Sequence, residues 1–274
     1  MFWTRLASGV VLLALAIGTF AAGGIALALI LWAVSMAAFC ELTKALHCGS
    51  REKKPNALEY IGLAGITGYY LLLYFFEGHT WLLMCIVGVF LAVMFAYVAA
   101  FPEYNANQVV AVFFSFFYGP VLLSFIYLTR MCSQGVYMVW MILISAWGCD
   151  TCAYAVGKLI GKKKIFPNLS PKKSLEGCIG GVLGAALIGW LYGFFLVEKA
   201  LPGGPSAWMI ALICGAGAVM SMVGDLAASA VKRNGDIKDY GKLIPGHGGI
   251  MDRFDSVIVT APMTYFLAVI MLSR

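Results

Sequence analysis

Apolar runs of about 18 residues or more recur from one end of this chain to the other, and no other feature constrains its fold as much. A segment that long can cross the hydrocarbon core of a bilayer, where only a helix or a closed barrel satisfies its own backbone. The runs lie near residues 6–21, 23–43, 59–76, 80–100, 108–128, 136–157, 178–196, 207–231 and 254–272. They predict an all-α polytopic integral membrane protein with about nine transmembrane helices. The chain is 62% hydrophobic and 12% charged, about half the charge of an ordinary soluble domain. The segments between runs are too short to build a soluble domain. The first two runs are separated only by Gly23-Gly24. Arg5 ahead of an apolar run, with Ala21-Ala22 after it, has the outline of a signal peptide. The immediate start of another apolar run argues against cleavage.

The Lys and Arg residues give the orientation. With the amino terminus in the cytoplasm, sixteen of the 19 fall on the cytoplasmic side, leaving Arg130, Lys199 and Arg274 on the other. That is a strong positive-inside bias. The net charge of +6 then reflects topology and a basic site. No nucleic acid partner is expected, because no basic surface interleaved with aromatics is visible. Most of the eight Cys lie inside apolar runs, where Cys is a small hydrophobe. Cys149 and Cys152 have the spacing of a metal or redox pair, but no second pair or nearby His completes a four-ligand site.

Residues 1–130 are expected to be a transmembrane scaffold. Residues 131–274 form the catalytic region of the same continuous membrane domain. In the first part, Glu41, Glu59, Glu77 and Glu103 sit near span ends and are expected to reach toward lipid headgroups, with Glu41 the one to watch. In the second part the charges gather at three places. Asp150 lies well inside a span, an expensive position that by default signals function. Asp150, Tyr154 and Gly157 are spaced to share one helix face. The second place is Ser170 to Gly181, where Ser170-Pro171 is expected to start a helix, with Lys172 and Lys173 facing the cytoplasm and Glu176 at the inner end. The third runs from Gly224 to Ser256. Asp225 is near the end of a span, with Ser229 and Lys232 following on its face, and Asp252 and Asp255 open the last span. Asp225, Asp252 and Asp255 are expected to converge at the membrane boundary. Carboxylates hold a hard cation such as Mg²⁺, which also takes substrate phosphates. Lys and Arg neutralise the remaining phosphate oxygens, and glycines let backbone N–H groups approach an anion. The mixture points to metal-assisted phosphoryl or nucleotidyl chemistry.

These residues resemble the signature of the phosphatidate cytidylyltransferases, or CDP-diacylglycerol synthases. The stretch Ser229-x-Val231-Lys232-Arg233, then Lys238-Asp239-x-Gly241, then Ile244-Pro245-x-His247-Gly248-Gly249-Ile250-x-Asp252-Arg253-Phe254-Asp255 fills the pattern across 27 residues. Asp150, Ala153, Tyr154 and Gly157 look like an upstream motif of the same family, as does Ser170-Pro171-Lys172-Lys173-Ser174 with Glu176-Gly177. Ala228 and Ser174 stand where many members have Glu and Thr. The resemblance implies that CTP and phosphatidic acid react to CDP-diacylglycerol and pyrophosphate with Mg²⁺ and a second cation. It implies metal ligation by Asp225 and Asp252, with Asp150 and Asp255 supporting and His247 a further catalytic candidate. Lys172, Lys173, Glu176, Ser229, Lys232, Arg233, Lys238, Gly248, Gly249 and Arg253 are the expected substrate-binding set. It also implies a homodimer in a membrane, the bacterial inner membrane, with the site facing the cytoplasm. The rivals are a CTP-dependent polyprenol kinase, which would transfer the γ-phosphate, and an ion-coupled transporter. A transporter often carries inverted repeats, and none is visible. The DGxxAR-type motif of the CDP-alcohol phosphotransferases is absent.

Overall fold

The structure is a computed structural model that describes residues 2–48, 55–167, 169–244 and 248–272. The helices are α1 (Phe2–Ala22), α2 (Gly24–Ala45), α3 (Ala57–Phe75), α4 (His79–Ala99), α5 (Ala106–Met131), α6 (Gly135–Ile160), α7 (Leu175–Ala200), α8 (Ala207–Asn234) and α9 (Met251–Leu272). Among the described residues, eight helices, α2 to α9, are long and apolar enough to cross a membrane. The protein is thus an all-α polytopic membrane protein, and every apolar run read from the sequence is occupied by a helix. Gly23 and Gly24 end α1 and start α2 with φ of 62° and 49°, a left-handed backbone that favours glycine.

Two compact units make up the chain: Met1–Tyr127 with Asn234–Arg253, and Leu128–Arg233 with Phe254–Arg274. In the first unit, Asn56 and Asn105 open α3 and α5 as capping boxes, with Glu59 and Gln108 as their reciprocal partners. Glu59 is buried in this cap and does not reach for headgroups, which corrects that expectation. Glu77 and Glu103 are exposed. The Cys48 carbonyl accepts from Asn56 Nδ2 and from Gln108 Nε2, each at 2.9 Å, so one acceptor ties two helix starts together. Farther along, Tyr70 bonds Ser35 Oγ at 2.8 Å and Tyr69 bonds Ser124 Oγ at 3.0 Å. These bonds satisfy buried hydroxyls that lipid cannot. Pro120, which has no N–H, lies in a π-helical turn at Phe117–Val121.

The second unit packs through small residues. Gly177, Gly181 and Gly184 of α7 face Ala153, Cys149 and Cys152 of α6. A Cβ on Gly181 would stand 2.9 Å from the Ala153 Cβ and the Cys149 Sγ. This close approach is the membrane small-residue mode of packing. Cys149 and Cys152 take part in this packing, and Cys149 Sγ donates to the Ala218 carbonyl at 3.7 Å. At the far end, Met138, Met141, Val197, Ile210, Ile213 and Leu272 form an apolar cluster. A π-helical turn at Ile144–Gly148 precedes Asp150 in α6.

One helix start differs from the sequence reading. The helix begins at Leu175, with Ser174 as its N-cap accepting from Gly177 N at 3.2 Å. Residues Ser170–Lys173 form a turn outside it. Ser174 offers its hydroxyl three residues ahead of a backbone N–H, and that cap prevails over Ser170-Pro171.

Candidate active site

The α6–α7 connector folds back on itself. Leu175 N donates to Lys163 O at 2.8 Å, Ile165 N to Lys173 O at 3.4 Å, and Lys164 Nζ to Lys172 O at 3.0 Å. Glu176 accepts from Lys162 N at 3.0 Å and from Lys163 N at 3.3 Å. Its carboxylate thus holds the connector, and it does not line the cavity beneath. That cavity holds about 570 Å³. Asp150, Tyr154 and Gly157 line it together, as their spacing predicts, and so do Lys158, Lys164, Lys172, Lys173 and Asp225.

Lys173 Nζ lies 2.6 Å from Asp225 Oδ2, with both side chains mostly enclosed. Asp150 accepts from Ser256 Oγ at 3.3 Å. Gly224 brings α9 against α8: a Cβ there would stand 2.6 Å from the Asp255 carbonyl. The charges of Asp150, Asp225 and Asp255 act on one another, offset by Lys173 at Asp150 and by Lys232 at Asp255. Asp255 Oδ1 accepts from Ser256 N at 2.8 Å. Among the described residues no three His, Cys, Asp or Glu side chains stand together as ready-made metal ligands. Ser229 and Lys232 are half-buried on α8, and Arg233 is exposed in its last turn.

The remaining candidates belong to the first unit. Asp252 Oδ2 accepts from Tyr240 N at 2.9 Å and Gly249 N at 3.0 Å, so this acid shapes its own loop. Gly248 has φ of 86° and accepts from Ile244 N at 2.9 Å through its carbonyl. Lys238 and Arg253 are exposed. His247 and Pro245 lie outside the described residues. The sequence reading underrated Glu41. It is buried, and its two oxygens accept from Ile250 N at 3.0 Å and Met251 N at 2.8 Å. The available signal was a carboxylate one turn inside the end of an apolar span, where a headgroup contact was the easier reading.

Residues 3–271 match the model of the Cytidylyltransferase family. The chain belongs to this family. Among its curated relatives, the phosphatidate cytidylyltransferase of Bacillus subtilis is 38% identical over 143 residues, 52% of this chain and 51% of that protein. The one from Synechocystis is 40% identical over 132 residues, 46% of this chain and 41% of that protein. The one from Thermotoga maritima is 38% identical over 127 residues, 46% and 47% respectively. The chain thus spans about half the length of the curated relatives it matches. As a member of the cytidylyltransferase family, it places four lysines and two aspartates around one cavity.

Proposed function

We propose that this protein transfers the cytidylyl group of CTP to phosphatidic acid, giving CDP-diacylglycerol and pyrophosphate. The observation that carries the reading is the cavity in which Asp150 and Asp225 face Lys158, Lys164, Lys172 and Lys173. The names of its relatives point to the same reaction. Such a site neutralises several phosphate charges while keeping carboxylates at hand, and it is built from helices long enough to lie in a bilayer beside a lipid.

In the proposed step an oxygen of the lipid phosphate forms a new bond to the α-phosphorus of CTP. The bond from that phosphorus to the β-phosphate oxygen breaks, and pyrophosphate leaves with the electron pair. A phosphate monoester is already a nucleophile, so no side chain has to take a proton. Catalysis then rests on positioning and charge stabilisation. Lys173, paired with Asp225, and Lys164, which donates to the Lys172 carbonyl, are proposed to meet phosphate oxygens. Lys232, Arg233, Lys238 and Arg253 are proposed to contact the remaining phosphates.

The oxygen donors suit a hard divalent cation: the carboxylates of Asp150, Asp225 and Asp255 act on one another, with Lys173 and Lys232 beside them. Asp225 would hold Mg²⁺, with Asp150 and Asp255 beside it. The ion when bound supplies positive charge to the phosphates. Ligation by Asp252, a second cation, a role for His247 and a homodimer are proposed on the resemblance alone. The bias of Lys and Arg and the bacterial relatives support a bacterial inner membrane, with the site facing the cytoplasm.

The test is purified protein with phosphatidic acid, Mg²⁺ and CTP labelled at the α- or γ-phosphorus. Label from the α position is expected in lipid. Label from the γ position would make the protein a lipid kinase, and label from neither would revive a transporter.

A further inference from the structure

Glu41 is an acid of the amino-terminal helices that the proposed reaction has not used, and its partners lie far along the chain. It reaches from α2 to the start of α9, some 209 residues later, and accepts from two successive backbone N–H groups there. Two glycines of the same loop close around it. A Cβ on Gly249 would press on both carboxylate oxygens and stand 2.6 Å from the carboxyl carbon; one on Gly241 would press on Oε1 and stand 2.9 Å from that carbon. Gly249 also donates to Asp252 Oδ2. The carboxylate of Glu41 and that of Asp252 therefore hold neighbouring points of one short loop, one from outside it and one from within.

We infer that Glu41 is a positioning residue for the proposed reaction: its carboxylate fastens the loop of residues 240–244 and 248–252 and thereby sets the backbone on which Asp252 and Arg253 stand. This gives Gly241 and Gly249 a steric reason to be glycine, separate from any contact with phosphate. A carboxylate suits the task because it can accept from both amides at once. Glutamine has one acceptor oxygen and would turn its NH₂ toward the other donor. An amide of α9 would then be left buried without a partner, a state that a loop avoids by moving. The inference rests on the reaction proposed above, but the fastening itself is a claim about the backbone and can be read without turnover.

The test uses the full chain in detergent, as parent, Glu41→Gln, Gly241→Ala and the double variant Glu41→Ala/Gly241→Ala beside Glu41→Ala. Amide hydrogen exchange reports the fastening, and kcat and KM for CTP report its use. Glu41→Gln is expected to exchange faster at residues 248–252 and to lower kcat about tenfold or more, with KM for CTP within about threefold. Gly241→Ala, whose methyl group meets the same carboxylate, is expected to give a similar loss. Most of that loss should vanish in the Glu41→Ala background, where the carboxylate is gone and the nearest atom left is the Gly249 Cα at 3.3 Å. Parent-like exchange in Glu41→Gln, or parent-like kcat with the loop released, overturns the inference. If Glu41→Gln does not fold, Gly241→Ala decides, since parent-like exchange and kcat there would show that the carboxylate does not grip the loop. Failure of the parent to move α-label into lipid would sink the proposed reaction instead, leaving exchange to judge the fastening.

Discussion

The loop ahead of α9 and the connector between α6 and α7 are each held by one carboxylate that accepts from two successive backbone N–H groups. Glu41 does this for Ile250 and Met251, and Glu176 for Lys162 and Lys163. The difference lies in what surrounds each one. Glu41 is buried, its partners lie 209 and 210 residues away, and two glycines are packed on it. Glu176 is at the surface, 13 to 14 residues from its partners, in a connector already closed by backbone bonds at Leu175 and Ile165 and by Lys164. The same bond pattern is thus nearly indispensable in one place and redundant in the other. Burial decides which, because a lost acceptor costs most where water cannot replace it.

The comparison can be broken or sharpened by substitution. The largest effect is expected from Asp225→Asn, which weakens the pair with Lys173 and removes a carboxylate charge from the cavity. Cytidylyl transfer should fall by about a hundredfold or more while the protein stays helical by circular dichroism. Near-parent rates at saturating Mg²⁺ would remove Asp225 from the chemistry. Next, Glu41→Ala strands two buried N–H groups, which should cost about 2–5 kcal/mol and lower the melting temperature in detergent by roughly 5–15 °C. An unchanged midpoint would show that α9 starts without Glu41. Third, Arg253→Lys keeps the charge but not the two-pronged grip on phosphate. It should lower kcat/KM for CTP about tenfold, and a parent-like value would make Arg253 structural. The smallest effect is expected from Glu176→Gln. Its melting temperature should match the parent, and kcat/KM should fall no more than about twofold, because backbone bonds still close the connector. A loss as large as that of Glu41→Gln would mean that redundancy does not protect the connector and would end the contrast.

Much of this arrangement was legible in the sequence. The apolar runs fixed the helices, and Gly23-Gly24 marked the break between the first two. The spacing of Asp150, Tyr154 and Gly157 put them on one face, and all three line the cavity. What could not be read were bonds whose second partner is backbone. Nothing in the side chains of Ile250 and Met251 advertises that their amides need an acceptor, so Glu41 resembled an interfacial acid. Glu59 was missed for a similar reason, because its partner is the Asn56 backbone N–H. The start of α7 was misjudged because two serines compete for the cap, and Ser174 is the one placed to accept from Gly177.

The π-helical turn at Ile144–Gly148 has a consequence at the level of the gene. Such a turn holds one more residue than the α-helical turn it replaces. Loss of a single codon between positions 144 and 148 would let α6 run on as a plain α-helix. Each residue of an α-helix advances about 100° around the axis. Because the wide turn already absorbs its extra residue, Met138 and Met141 would keep their facing relative to Asp150 after that loss, whereas a codon lost between Asp150 and Gly157 would turn one against the other by about that angle. Single-codon deletions at positions 144–148 should therefore be tolerated better than single-codon deletions between Asp150 and Gly157, which would split the face that lines the cavity.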